Sequence, residues 1–136
     1  MARLDGWEAG LNAAIDEARG WKYDLGKRDC FRLVCNVVKA LTGEDRWSEV
    51  RGYKTRRQAL ARIAVYGKTF EDAGDGFFRG PRIPWAMAQR GDIVAFATVD
   101  GQKHLGVCVG ATFAGVTDEG LIFTNMSAAI CAWRIG

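Results

Sequence analysis

The chain has 136 residues, 49% of them hydrophobic and 26% charged, with a formal net charge of +3. This is globular composition in a length suited to one domain, 1–136, and it excludes a disordered, collagen-like or low-complexity protein. The mildly basic balance suits approach to an anionic polymer, whether nucleic acid or bacterial wall, and selects neither.

Asp5 to Gly20 reads as an amphipathic helix. Trp7, Leu11, Ile15 and Ala18 form one stripe, Asp5 and Glu8 have cap spacing, and Gly20 ends it. Trp21 to Arg28 is a turn feeding a second helix. Asp29 is its N-cap, Leu33, Val34, Val37, Val38 and Leu41 recur at the helical period, and Gly43 stops it. Cys30 then occupies the first helical position on the buried face. A thiol there meets unsatisfied backbone N–H groups and the positive end of the helix dipole. With Lys27 and Arg28 nearby, its pKa is expected below the free value of about 8.5. A small apolar residue at the start of a core helix is the plainer reading, and it yields only if the chain supplies a base.

Residues 44–53 are irregular, with Trp47 and Val50 as anchors. Thr55-Arg-Arg-Gln58 is a capping-box signature for a short helix ending near Gly67. Lys54, Arg56, Arg57 and Arg62 give that helix a basic side, but no aromatic residues interleave, so a solvated face is expected and nucleic-acid binding is not. Phe70 to Pro84, rich in Gly, Asp and Phe, reads as a structured loop with a short strand around Phe77-Phe78. A single helical turn is expected between Pro84 and Gln89.

Arg90 to Val99 and Lys103 to Gly110 read as a hairpin turning at Asp100-Gly101. A two-residue corner pairs Ala97 with His104, the chain's one histidine. His104 then shares a face with Gly106, Cys108, Ala97 and Ala95, small enough for the Cys30 helix to approach and for thiol and imidazole to meet. Strands follow at Thr112 to Thr117, Leu121 to Asn125 and Ile130 to Ile135. A two-residue turn at Gly110-Ala111 sets His104 opposite Thr117. That hydroxyl can orient the imidazole, or be an ordinary strand threonine. Helices first and antiparallel strands second give an α+β domain with helices packed on a sheet.

The cysteines, Cys30, Cys35, Cys108 and Cys131, have no zinc-type spacing, so no metal or other cofactor is expected. A chain this rich in ordinary core residues does not need a disulfide framework, and the thiols are expected reduced. No charged-then-apolar leader is visible and no apolar run approaches about 18 residues, so neither a signal peptide nor membrane insertion is expected.

Tyr23 and Gly26 before Asp29-Cys30, then Arg90-Gly91-Asp92, then His104-Leu105-Gly106-Val107, resemble in that order the NlpC-type papain-like cysteine peptidases. The resemblance implies a papain-like fold with Cys30 as nucleophile, His104 as general base and Tyr23 as an oxyanion helper. It implies a peptide amide of bacterial peptidoglycan as substrate, cut through a thioester. A short chain without a leader, with Arg51-Gly52-Tyr53 and a terminal Ala132-Trp133-Arg134-Ile135, looks like the phage tail-associated members. That likeness implies synthesis in the host cytoplasm, a place in the virion and other tail-tip proteins as partners. Two positions depart from the pattern. Leu25 stands where the family has tryptophan, and the third polar residue falls near Phe113 or Ala114, neither of them polar. A structural tail protein keeping the fold with little activity is therefore the second expectation, and an amidase or acyltransferase on a small intracellular substrate the third.

Overall fold

The computed structural model describes residues 2–136. Five α-helices precede the sheet: α1 (Trp7–Arg19), α2 (Cys30–Thr42), α3 (Trp47–Val50), α4 (Arg56–Ala64) and α5 (Phe70–Phe78). After a 3₁₀ turn at Trp85–Met87 come β1 (Ile93–Ala97), β2 (Lys103–Cys108), β3 (Thr112–Thr117), β4 (Gly120–Asn125) and β5 (Ala129–Trp133). They form one antiparallel sheet in the order β4-β3-β2-β1-β5. The expected α+β class is the observed one.

The apolar stripe of α2 is the centre of the molecule. Leu33, Val34, Val37 and Leu41 are fully buried against Leu11, Ile15 and Ala18 of α1 on one side. On the other side they meet the sheet face of Ile93, Ala95, Leu105, Val107, Ala114 and Val116. The reverse face carries a second, smaller core around Val94, Phe96, Cys108, Phe113 and Met126. Period-two alternation along β1, β2 and β3 is what divides the two sets.

Capping differs between the helices. Asp29 caps α2, its side chain accepting from Arg32 N, and Gly43 closes the helix with φ 80°. Thr55 caps α4 through Gln58 N at 3.1 Å, while the Gln58 amide oxygen accepts from Lys54 N rather than from the cap residue's own N–H. The expected cap at Asp5 is not used: α1 starts after Gly6 in the left-handed region with no side-chain cap.

The stretch expected as a loop with a short strand is instead helix α5. Thr69 caps it, accepting from Asp72 N at 3.0 Å. Gly74 and Gly76, poor helix formers, hide the helix in the sequence. Both are needed by packing. A Cβ on Gly74 would lie 2.1 Å from the Trp133 ring, and one on Gly76 would lie 2.2 Å from Tyr66 O. Burial of Phe77 and Ala73 against the core outweighs the backbone entropy of two glycines.

Asp92, wholly buried, ties the chain ends to the sheet. One carboxylate oxygen accepts from Ile135 N at 3.1 Å and Arg3 at 3.0 Å, the other from Gln89 N at 2.8 Å. The Gly91-Asp92 pair thus has a structural role. So does Trp133, whose indole donates to Asp75 at 2.9 Å.

Candidate active site

The turn before α2 holds Cys30 in place. Gly26 adopts φ 87°, and a Cβ there would come within 2.3 Å of Tyr53 O, so only glycine fits. Its N–H donates to Asp29 Oδ2 at 2.8 Å, while Arg32 N donates to Oδ1 at 2.9 Å. The Tyr53 hydroxyl also donates to Oδ2. Asp29 is therefore a buried carboxylate with three donors, and it fixes both the start of α2 and the loop carrying Tyr53. Arg51-Gly52-Tyr53 acquires a reason here that the sequence alone did not supply.

Cys30 is the first residue of α2, as expected, and is partly exposed. The thiol nevertheless is not activated. Burial pushes its pKa up to about 11, and the Asp29 carboxylate adds to the rise. The Leu105 and Phe31 N–H groups and Arg56 pull the other way without reversing it. Lys27 and Arg28, expected to favour thiolate, are exposed, and Arg28 lies 3.8 Å from Asp24 instead. The other thiols rise as well, Cys131 to about 11 and Cys35 to about 12.

The hairpin register differs by one residue from expectation. Val99, Asp100 and Gly101 form a three-residue loop, with Thr98 N donating to Gln102 O at 2.9 Å and Gly101 at φ 81°. Asp100 Oδ1 accepts from Gln102 N at 3.1 Å, the local bond that favours this longer turn. His104 consequently pairs with Phe96, not Ala97. Its ring stacks on Phe96, with centroids 5.5 Å apart and planes at 27°. It thus projects from the face opposite α2, and the expected shared face of Cys30 and His104 does not form. The Phe96 ring also fills the space above Gly106 and Gly115.

Thiol and imidazole are separated by orientation more than by distance along the chain. Cys30 and His104 both line a cavity of about 60 Å³, together with Tyr23, Leu25 and Arg56. Tyr23, Leu25, Arg56 and His104 also border a second groove of about 530 Å³ on the far face of the sheet, which Asp100, Asp118 and Glu119 edge. The two spaces adjoin at His104. No hydrogen bond joins Cys30 to His104 among the described residues. Burial, then Arg56, lowers the imidazole pKa, against smaller upward pulls from Asp100 and Asp118. At neutral pH the resting pair is therefore thiol and neutral imidazole.

The turn at Gly110-Ala111 has the expected register, with Val109 N on Thr112 O at 2.9 Å and Gly106 opposite Gly115, where the β2–β3 ladder ends. Thr117 follows beyond that end. Its hydroxyl accepts from Glu119 N at 3.3 Å and makes no bond to His104. The hydroxyl that does sit beside the imidazole is that of Thr98, at 3.5 Å. Tyr23, the expected oxyanion helper, borders both spaces, and burial followed by Asp29 and Cys30 raises its pKa. Arg56 was legible only as part of a basic helix face. The fold turns it inward, where it donates to Lys103 O at 3.0 Å and charges the site.

A family model described as a domain of unknown function (DUF6950) matches residues 2–135. The chain belongs to that family. No curated protein sequence matches it. Among solved structures, this DUF6950 chain is similar to the NlpC/p60 domain of the peptidoglycan hydrolase SagA. The two are 16% identical with a TM-score of 0.58, over 93% of this chain and 97% of that one. At that identity the likeness shows the NlpC/p60 fold, and the chemistry rests on the residues described above. Among the described residues no cluster of metal-ligating side chains is present, and no helix is long and apolar enough to cross a membrane.

The raised thiol gives a first test. Iodoacetamide labelling of the folded protein at Cys30, read by mass spectrometry, should be slow at pH 7 and rise about tenfold per pH unit toward about pH 11. A half-maximal labelling pH below 8.5 would contradict the neutral thiol.

Proposed function

We propose that this protein is a cysteine peptidase acting on a peptide amide of bacterial peptidoglycan, carried by a phage tail. The observation behind this reading is that Cys30, at a helix N-terminus, and His104 line one cavity in an NlpC/p60 fold. His104, neutral at rest, takes the thiol proton as Cys30 attacks the amide carbonyl, which needs the imidazole turned from Phe96 toward the sulfur. The oxyanion is held by backbone N–H, with that of Cys30 as the first donor and Arg56 adding positive charge. The imidazolium returns its proton to the leaving amine, and water, activated by the same ring, then hydrolyses the thioester. The tail location and tail-tip partners rest on the resemblance of the sequence to phage-borne members of the family.

A second reading is a structural tail protein that retains the fold. One observation favours it: the imidazole stacks on Phe96 and makes no bond to Cys30. A single experiment separates the two. Purified peptidoglycan is incubated with the protein, and new amino termini are quantified. The peptidase reading expects them with the native chain and not with Cys30→Ala. Equal release from both would exclude Cys30 as the nucleophile, and release from neither would leave only the structural reading.

A further inference from the structure

Among the described residues, the side chain within hydrogen-bonding range of the His104 ring is that of Thr98, and its own bonds bear on the state of the ring. Thr98 Oγ1 lies 3.5 Å from Nε2, a long contact of the kind that tightens when an active site closes on substrate. A threonine hydroxyl has one proton to give. Its two other neighbours, a carboxylate oxygen of Asp100 and the carbonyl of Gln102 at 3.3 Å, are both acceptors. The proton is therefore committed away from the histidine, and only lone pairs face the ring. Nε2 has to carry the hydrogen, which leaves Nδ1 as the basic nitrogen.

We propose that Thr98, held by Asp100, is the positioning residue that fixes His104 as the Nε2–H tautomer with Nδ1 free to take the Cys30 proton. This rests on the peptidase reading for its use in catalysis. The device sits in the β1–β2 hairpin. The position on β3 that the sequence offered, Thr117, bonds elsewhere, and Phe96 stacks on the ring. As the thiol proton arrives at Nδ1, the imidazolium donates through Nε2–H to Thr98, and the Asp100 carboxylate behind it offsets the new charge. The other charged and titratable groups bordering the two spaces with the ring are Arg56 from α4, Asp118 and Glu119 from the β3–β4 turn, Lys103 from β2, and Tyr23, Asp29, Cys30 and Tyr53.

One histidine per chain makes the test clean, because ¹⁵N NMR of the intact protein then reports a single imidazole. The native ring should be mainly Nε2–H when neutral. Thr98→Val should mix the tautomers and lower the ring pKa, Thr98→Ser should restore both, and Asp100→Asn should lower the pKa while keeping Nε2–H. On purified peptidoglycan, Thr98→Val should reduce kcat about tenfold with KM little changed. The acid limb of its pH profile should move to lower pH, since a weaker base loses its proton earlier. A native ring in the Nδ1–H form, or a Thr98→Val spectrum like the native one, would overturn the assignment. If the tautomer results hold but hydrolysis does not depend on Cys30, the peptidase reading fails and the tautomer assignment stands.

Discussion

His104→Ala is expected to lower Cys30-dependent hydrolysis of peptidoglycan by about 10²- to 10⁴-fold while the protein stays folded. The size follows from the state of the thiol. With a pKa near 11, roughly one Cys30 in 10⁴ is thiolate at pH 7, so attack needs a base at the moment of bond formation. Without the imidazole, only the pre-ionised fraction reacts. The residual rate should therefore climb about tenfold per pH unit and level off near pH 11, whereas the native rate should plateau once His104 is neutral. Burial lowers the His104 pKa, which places the native plateau on the acid side of an ordinary histidine's. Stability should change little, because the ring is only partly buried. An unchanged rate in His104→Ala would exclude the histidine as the general base.

Asp29→Ala is expected to destabilise the fold by about 2–5 kcal/mol, the largest stability effect near the site. The N-cap of α2 is lost, and the N–H of Gly26 and the buried hydroxyl of Tyr53 lose their acceptor. For a chain of this size the melting temperature should fall by roughly 10 °C. Asp29→Asn should cost less, since one amide oxygen can still cap the helix but cannot serve all three donors. Tyr53→Phe should be costly in the native chain and nearly free in the Asp29→Ala background. That coupling is the mark of a shared network, measurable by denaturant titration of the four proteins. Additive losses would show that Tyr53 and Asp29 act independently.

The resemblance and the local patterns carried different parts of the site. Order along the chain was enough to nominate Cys30 and His104, because both stand at signals that act over a few residues. Thr98 and Arg56 could not be picked out that way. Thr98 lies six residues before His104 and meets it only across the hairpin, and Arg56 enters through the packing of α4. Nothing in either residue's neighbourhood in sequence marks it. Phe96 was readable as a strand residue, but a two-residue corner sets Ala97 rather than Phe96 beside His104.

What the sequence by itself determined is what short-range physics decides. Asp29 and Gly43 bound α2, the 3.6-residue stripe chose its buried face, and the two-residue turn at Gly110-Ala111 set the β2–β3 register. Tertiary structure decided the rest. Helix α5 exists because Phe77 and Ala73 are buried, and it carries glycines because Trp133 and Tyr66 occupy the space that side chains on Gly74 and Gly76 would need. The β1–β2 register follows from whether the loop holds two residues or three, and one residue of slip exchanges the faces of a strand. That slip set Phe96, rather than Ala97, against His104. The state of Cys30 was beyond local reading for a different reason. A helix terminus is visible in sequence, but desolvation sums over every neighbour the fold brings to the sulfur, and here that sum outweighs the favourable end of the helix.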